Sequence, residues 1–483
     1  MPASYPEVKR FVDAWFCDPD FPDRFRARPT DALHDLGVDL DPTELARLVS
    51  PEDFGILTDP TREDGVAEAG GIVADWRRYA RERHQSVKTE RDQRTPGCPA
   101  LANWRWRQIT RLKFELAPSL GDQIRHIPFA MELTRGCSGR CWFCGVSAQP
   151  LDGIFDRSPE NVVLFRGLLQ HLVSIYGRSA ALDGILYWAT DPLDHPDYES
   201  FVEDFAEIVG GAPATVTALG GRKPERAASV LATLSRHPAR SHRFSVLSVR
   251  DYRTLISWFD ASELALVEML PQFRKDLRLK FAAGRARTRM KAKGTSEGEV
   301  RPGGTIACLS GVMVDFVGRT IRLVTPCPSS DSRPDGVHES AKIPFESLED
   351  AIAVIDRLLD EIRIPLPEEG AMLSRSQGVR FADSPDSSAM RVVSDHHAIR
   401  LGSPISGDRL ETKLPTSGTI DSIVETLVGE LDLEPLEAVS LLRRLLDAGA
   451  IRAGLPGEGA MPVQIGVPDT GSDQEMTPPK EPG

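Results

Sequence analysis

The chain has 483 residues, 41% of them hydrophobic and 27% charged, and a net charge of −13. That length accommodates two to four domains, and the acidic balance excludes a general nucleic-acid binder, which would carry a basic excess. Met1–Arg10 lacks the charged-then-apolar plan of a signal peptide, no run of about eighteen apolar residues offers a membrane span, and seven cysteines with three clustered point to a reducing, cytoplasmic setting.

Residues 1–125 read as a helical N-terminal region. Val8, Phe11, Val12, Trp15 and Phe16 recur at helical spacing, and Ala32-Leu-His-Asp-Leu-Gly37 closes a second helical stretch. The segment 5–55 resembles the leader segments of nitrile-hydratase-type precursor peptides; a small helical cap is the plainer alternative. Residues 70–115, rich in Arg, Lys and Glu with Trp76, Trp104 and Trp106 interspersed, read as a solvated helical stretch.

From 126 to 300, strand patterns alternate with helical ones, which predicts an α/β fold of parallel βαβ units. The strand candidates are Ile127–Thr134, Gly184–Thr190, Ala214–Ala218 and Arg243–Val249, with Leu264–Leu270 as a strand or helix end. The helix candidates are Glu160–Ile175, with Val162, Val163 and Phe165 on its apolar side, Tyr198–Val209 and Arg226–Ser235. The first strand runs into Gly136-Cys137-Ser-Gly-Arg-Cys141-Trp-Phe143-Cys144-Gly. Three thiolates are one short of a closed zinc site or an ordinary four-cysteine iron–sulfur centre. No further Cys or His stands within about ten residues, so one metal position would stay open for chemistry. A zinc knuckle, or three unrelated cysteines, is the rival.

Residues 301–385 begin with a hairpin, Thr305–Phe316 and Arg319–Cys327 around Val317-Gly318. A hairpin centred there sets Val312 and Val314 beside Ile321 and Leu323 on one face, with Asp315 and Arg322 on the other. It also sets Cys308 opposite Cys327. Because valine is unfavourable at a positive-φ turn position, a four-residue loop in the same register is the alternative. The paired thiols have three readings: small core hydrophobes, ligands of a second cluster, or a hydrogen-atom donor. A helix, Leu348–Ile362, follows. Residues 386–455 read as a small separate domain with helices Thr416–Leu427 and Pro435–Gly449, and residues 456–483 as a disordered tail.

The Cys-x3-Cys-x2-Cys spacing with Phe143 before the last cysteine resembles the radical SAM superfamily. That resemblance implies a partial (β/α) barrel, one [4Fe-4S] cluster on Cys137, Cys141 and Cys144, and S-adenosyl-L-methionine chelated at the open iron. It implies that Ala189-Thr190-Asp191-Pro192 stands where the family has Gly-Gly-Glu-Pro, with both glycines lost and Asp in place of Glu. Thr215, Thr217, Arg243, Ser245 and Ser248, with Phe143, become candidates for cofactor contacts. Residues 386–455 resemble the winged-helix elements that bind leader peptides, with a DNA-binding winged helix as the rival. Taken with Ala189–Tyr198, Arg243–Ser248 and the hairpin cysteines, the chain resembles the radical SAM peptide epimerases that mature proteusin-type ribosomal peptides. The implied partners are a precursor peptide with its leader and a cellular electron donor. The implied reaction removes Hα from an L-residue and returns hydrogen from Cys308 or Cys327, the Pro-Cys-Pro setting favouring Cys327. A crosslink-forming maturase and a leader-binding redox sensor are the rival functions.

Overall fold

The computed structural model describes residues 4–49, scattered positions between 71 and 85, and 95–117, 121, 124–238, 242–273, 283–293, 308–363, 372–385 and 389–453. The end of the leader-like segment, the start of the hairpin at Thr305–Ile306 and the tail from 456 lie outside them. No helix among the described residues is long and apolar enough to cross a membrane.

Four short helices open the chain: Tyr5–Cys17, Phe21–Ala27, Pro29–Leu36 and Pro42–Leu48. Each carries proline in its first turn, where the missing N–H costs nothing. Phe11, Trp15, Phe21 and Phe25 pack ring against ring and join the main core. The Arg10 guanidinium donates to the carbonyls of Phe259 and Ile256 at 2.8 and 2.6 Å, and Arg253 grips Asp18. The leader-like segment is thus fastened to the body as a helical cap.

The body is mixed α/β. Strand β1 (Ile127–Glu132), buried throughout, lies beside the short pair β2 (Thr134–Arg135) and β3 (Gly153–Ile154). A parallel sheet of β4 (Val216–Thr217), β5 (His242–Val246) and β6 (Val267–Pro271) follows, with helices Pro159–Tyr176, Tyr198–Val209 and Pro224–Leu234 between strands. The hairpin is β7 (Leu309–Asp315) and β8 (Thr320–Pro326). β7 pairs in parallel with β1, so the hairpin belongs to the central sheet rather than hanging off it, and β9 (Val337–Pro344) completes the order β1-β7-β8-β9. Pairing β7 to β1 lets both strands bury both faces, as parallel strands do. Phe129, Met131, Val312 and Val314 face the helices, whereas Ile127, Ala130, Ile185, Leu309, Met313 and Val324 form an inner cluster. Among the described residues no closed barrel forms.

The hairpin register is the expected one, Val312 opposite Leu323 and Val314 opposite Ile321, turning through four residues. Elsewhere the expectations shift. Gly184–Thr190 makes only one bridge, Ile185 to Ala130, because its later backbone is drawn toward side chains: the Ala189 N–H donates to Glu132. The strand expected to reach Val249 stops at Val246, since Ser248 caps a helix, Val249–Trp258, that the apolar run concealed. Val163 is 61% exposed, off the apolar side assigned to it. The stretch expected to be solvated contains the helix Pro99–Glu115, which buries Trp104, Arg105, Arg111 and Phe114 between the sheet and the C-terminal unit.

That unit begins before residue 386. β10 (Met372–Arg375) pairs with β14 (Ser417–Thr419) and β15 (Ile451–Ala453), while β11 (Arg380–Asp383), β12 (Ala389–Val393) and β13 (Ala398–Gly402) form a second sheet. Helices Gly407–Lys413, Ile420–Gly429 and Pro435–Asp447 enclose its core of Leu427, Leu441, Leu442 and Leu445.

Candidate functional site

The cysteine loop leaves the C-terminal end of β1, where ligands gather in parallel α/β folds. Gly136, at φ +79°, has no room for a side chain against the Pro150 carbonyl, so the chain turns sharply there. The loop then winds round Gly139. A Cβ on Gly139 would stand 3.3 Å from Cys137 Sγ and 3.4 Å from Cys141 Sγ, so glycine keeps the space between two sulfurs open. Backbone N–H groups of Gly139 and Ala148 donate to Cys137 Sγ and Cys144 Sγ at 3.2 and 3.3 Å, as they would to thiolates. Burial pushes the Cys137 thiol up to about 12 and that of Cys141 to about 11, which a bound cation would reverse by displacing the protons. Among the described residues no three Cys, His, Asp or Glu side chains are arranged to hold a single metal ion. Two sulfurs sharing the space that Gly139 keeps open, and two accepting backbone N–H bonds, make a donor set suited to thiolate ligation of metal.

Ala189–Asp191 lies beside the loop. Asp191 is buried and accepts from Thr217 Oγ1 at 2.7 Å, from Ala218 N at 2.8 Å and from Leu193 N at 3.0 Å; burial lifts its carboxyl to about 6 against those bonds. Thr217 therefore fixes Asp191 from β4. Thr215 is buried and shares its hydroxyl with Tyr198 at 3.2 Å. Ser248 is occupied as a helix cap, its hydroxyl accepting from Asp251 N at 3.1 Å. Arg243 is held by Glu268 at 2.9 Å, and Ser245 lies on the same side of β5, the side opposite Phe244 and Val246. Phe143 is half-buried, edge-on to Trp142 at 5.7 Å.

The two outlying thiols stand apart from the loop. The Cys308 carbonyl accepts from Ile127 N, at the start of β1, and its side chain packs on the inner cluster within electrostatic reach of Tyr187 and Arg243. Cys327 is 1% exposed at the end of β8; burial pushes its thiol to about 11, with Arg111 and Glu115 acting on it electrostatically in opposite senses. Both lie toward the N-terminal end of β1, and the cysteine loop toward its C-terminal end.

Two residues not anticipated from the sequence organise the site. Asp194 accepts from Ser138 N at 2.8 Å and from Ser138 Oγ at 2.6 Å, and pairs with Lys223 at 2.8 Å, tying the loop to the 3-10 turn Pro192–Asp194. Asp194→Ala is expected to cost about 2–3 kcal/mol and to lower iron retention; melting curves and iron analysis after gel filtration check both. Glu132, ending β1, accepts from Ala189 N at 2.8 Å and from Arg322 at 3.0 Å. Burial outweighs Arg322 and lifts its carboxyl to about 7. The folded chain therefore holds a proton that the unfolded chain releases from about pH 4.5, so stability falls as pH rises from there through 7. Glu132→Gln is expected to flatten that fall, by about 3 kcal/mol across the window. Asp191 contributes a decline of the same sign ending near pH 6, which remains in the variant; melting temperature against pH reads the difference.

No family model matches the chain. It is 28% identical over 424 residues to the uncharacterized protein y4wI of Sinorhizobium fredii (strain NBRC 101917 / NGR234), a match covering 85% of this chain and 81% of that one. Among solved structures it is similar to BtrN in complex with AdoMet and 2-DOIA, at 16% identity and a TM-score of 0.29, over 40% of this chain and 71% of that chain. A likeness that slight carries no argument about fold or chemistry, and the site stands on its own residues.

Proposed function

We propose that the chain is a radical S-adenosylmethionine enzyme that converts L- to D-residues in a ribosomally made peptide. The observation that carries this reading is the cysteine loop, with the Cys137 and Cys141 sulfurs round Gly139 and three thiols in all, one ligand short of a closed centre, set at the end of β1 beside Ala189–Asp191. When bound, a [4Fe-4S] cluster and S-adenosylmethionine supply a 5′-deoxyadenosyl radical there. Cys137, Cys141 and Cys144 would each hold one iron. The Ala189–Asp191 backbone, braced by Glu132 and Thr217, would present polar groups to the cofactor's methionyl amino group, with Thr215 just before β4 and Ser245 on the neighbouring β5.

Of the two outlying thiols, Cys308 is the better donor, because it packs on the inner cluster while Cys327 is buried beside the Arg111–Glu115 pair. An S–H bond and a peptide Cα–H bond are close in strength, so Cys308 can give its hydrogen to a Cα radical, and reduction of the resulting thiyl radical draws the transfer forward. Its sulfur is then restored by one electron and one proton from the cellular donor. The leader has a matching place on the C-terminal unit. Among the described residues β13 ends its sheet with one open edge, and a shallow groove beside it is lined by Gly402, Ser403, Glu437, Ser440 and Leu436, the last 84% exposed. An extended peptide can add there as a strand.

The test combines anaerobically reconstituted enzyme, S-adenosylmethionine, dithionite and a synthetic leader-bearing precursor peptide, in D2O. Epimerisation adds one deuterium for each converted residue, crosslinking removes a pair of hydrogens, and a redox sensor leaves the peptide unchanged. Cys308→Ala is expected to release 5′-deoxyadenosine without deuterium uptake, and Cys327→Ala to keep both. Deuterated D-residues from Cys308→Ala would refute that donor assignment.

A further inference from the structure

In a chain carrying −13 overall, one short helix is wholly basic. Gly284–Ala292 bears Arg285, Arg287, Arg289 and Lys291 with no acidic residue, and Lys293 follows it. This helix is seated on the cysteine loop. Gly284, at φ +53°, has no space for a side chain against the Cys144 and Gly145 carbonyls. The Arg285 N–H donates to Cys144 O at 2.9 Å, and its guanidinium donates to Cys141 O at 3.2 Å and to Ala148 O. Arg289, one turn on, lies 5.2 Å above the Trp142 ring between two of the loop's cysteines.

The charges on this face are not all used internally. Arg287 and Lys291 share Asp331. Arg289 and Lys293 are exposed and meet no carboxylate among the described residues, and the same holds for Arg140, at the crest of the loop between Cys137 and Cys141. Arg222 adds a fourth cation, reaching Gly139 O at 3.4 Å. The result is a compact positive face over the loop, on a chain whose net charge is −13.

We propose that this face docks a small acidic protein that carries a one-electron flavin or iron–sulfur centre. The proposal rests on the reading above, since only a redox-active loop needs electrons delivered there. Charge complementarity selects the partner: the net negative charge of the chain disfavours an acidic carrier in general and this face favours it locally, which raises its encounter rate without a large buried interface. Weak redox encounters of that kind bury little area and dissociate readily.

The experiment measures 5′-deoxyadenosine release by the reconstituted full chain from S-adenosylmethionine, driven either by dithionite or by a reduced bacterial flavodoxin. For the double variant Arg289→Glu/Lys293→Glu, and independently for Arg140→Glu, the dithionite rate is expected to stay at the wild-type level. The flavodoxin rate is expected to fall by about ten-fold at low salt, and the wild-type rate to drop as salt is raised. Equal flavodoxin rates in wild type and both variants overturn the docking site. So does loss of single-stranded DNA binding in the variants with flavodoxin rates unchanged, which assigns the patch to a nucleic acid. If the double variant also loses its dithionite rate, the helix has been displaced and Arg140→Glu decides the matter alone. Wild type that releases nothing with either reductant overturns the underlying reading, and the docking site with it.

Discussion

Replacing any one of Cys137, Cys141 or Cys144 by alanine is expected to abolish iron binding and S-adenosylmethionine cleavage together while leaving the fold intact. The three side chains are half-buried in a loop outside the main core, so truncating one removes little packing, and a stability change within about 1 kcal/mol is expected. The histidine nearest the loop in sequence offers no substitute. His126 belongs to the far end of β1, where its Nδ1 meets Ser310 Oγ at 2.8 Å. Iron and sulfide analysis, the visible absorption of the reconstituted protein and 5′-deoxyadenosine release should all fail together against a normal melting curve. Full iron in Cys141→Ala would show that this thiol is no ligand and that the loop is something else.

The second large effect concerns the joint between the sheet and the C-terminal unit. Arg111 is 1% exposed, pairs with Glu115, donates to Pro326 O at 2.6 Å and bonds Gln108 at 3.1 Å. Gly449, ending the Pro435–Asp447 helix at φ +70°, lies so close that a Cβ there would be 2.6 Å from Arg111 N. Arg111→Met strands Glu115 without its closest partner in the interior, and breaking such a pair costs about 3–5 kcal/mol. Arg452 shares the neighbourhood and offsets part of that loss. Arg111→Met/Glu115→Leu, which removes both charges, is expected to recover most of the stability in urea unfolding. The single variant should also release the C-terminal unit sooner in limited proteolysis. If single and double variants are equally unstable, packing rather than charge holds the joint.

What could be read from the sequence follows the range of the interactions involved. The cysteine loop was legible because its spacing is local. The hairpin register was legible because the alternation of Val312, Val314, Ile321 and Leu323 against Asp315 and Arg322 admits one pairing. β9 escaped because Val337-His-Glu-Ser-Ala-Lys-Ile alternates too weakly to announce a strand. The Val249–Trp258 helix escaped because its cap, Ser248, is embedded in an apolar run that reads as sheet. Glu132 and Asp194 had only their positions beside quoted motifs to mark them, and their roles arise from backbone groups distant in sequence, Ala189 N and Ser138 N. Local periodicity could not show that β7 lies along β1, and that pairing decides where Cys308 stands.

The length of β1 has a consequence of its own. Five steps from Ile127 to Glu132, at about 3.3 Å each, hold the inner thiol roughly 17 Å below the rim where the cysteines converge. Under the proposed reaction a single Cα would have to meet the cofactor's radical on one face and the Cys308 sulfur on the other, so the bound cofactor and the Cys308 side chain would have to reach toward each other across that depth.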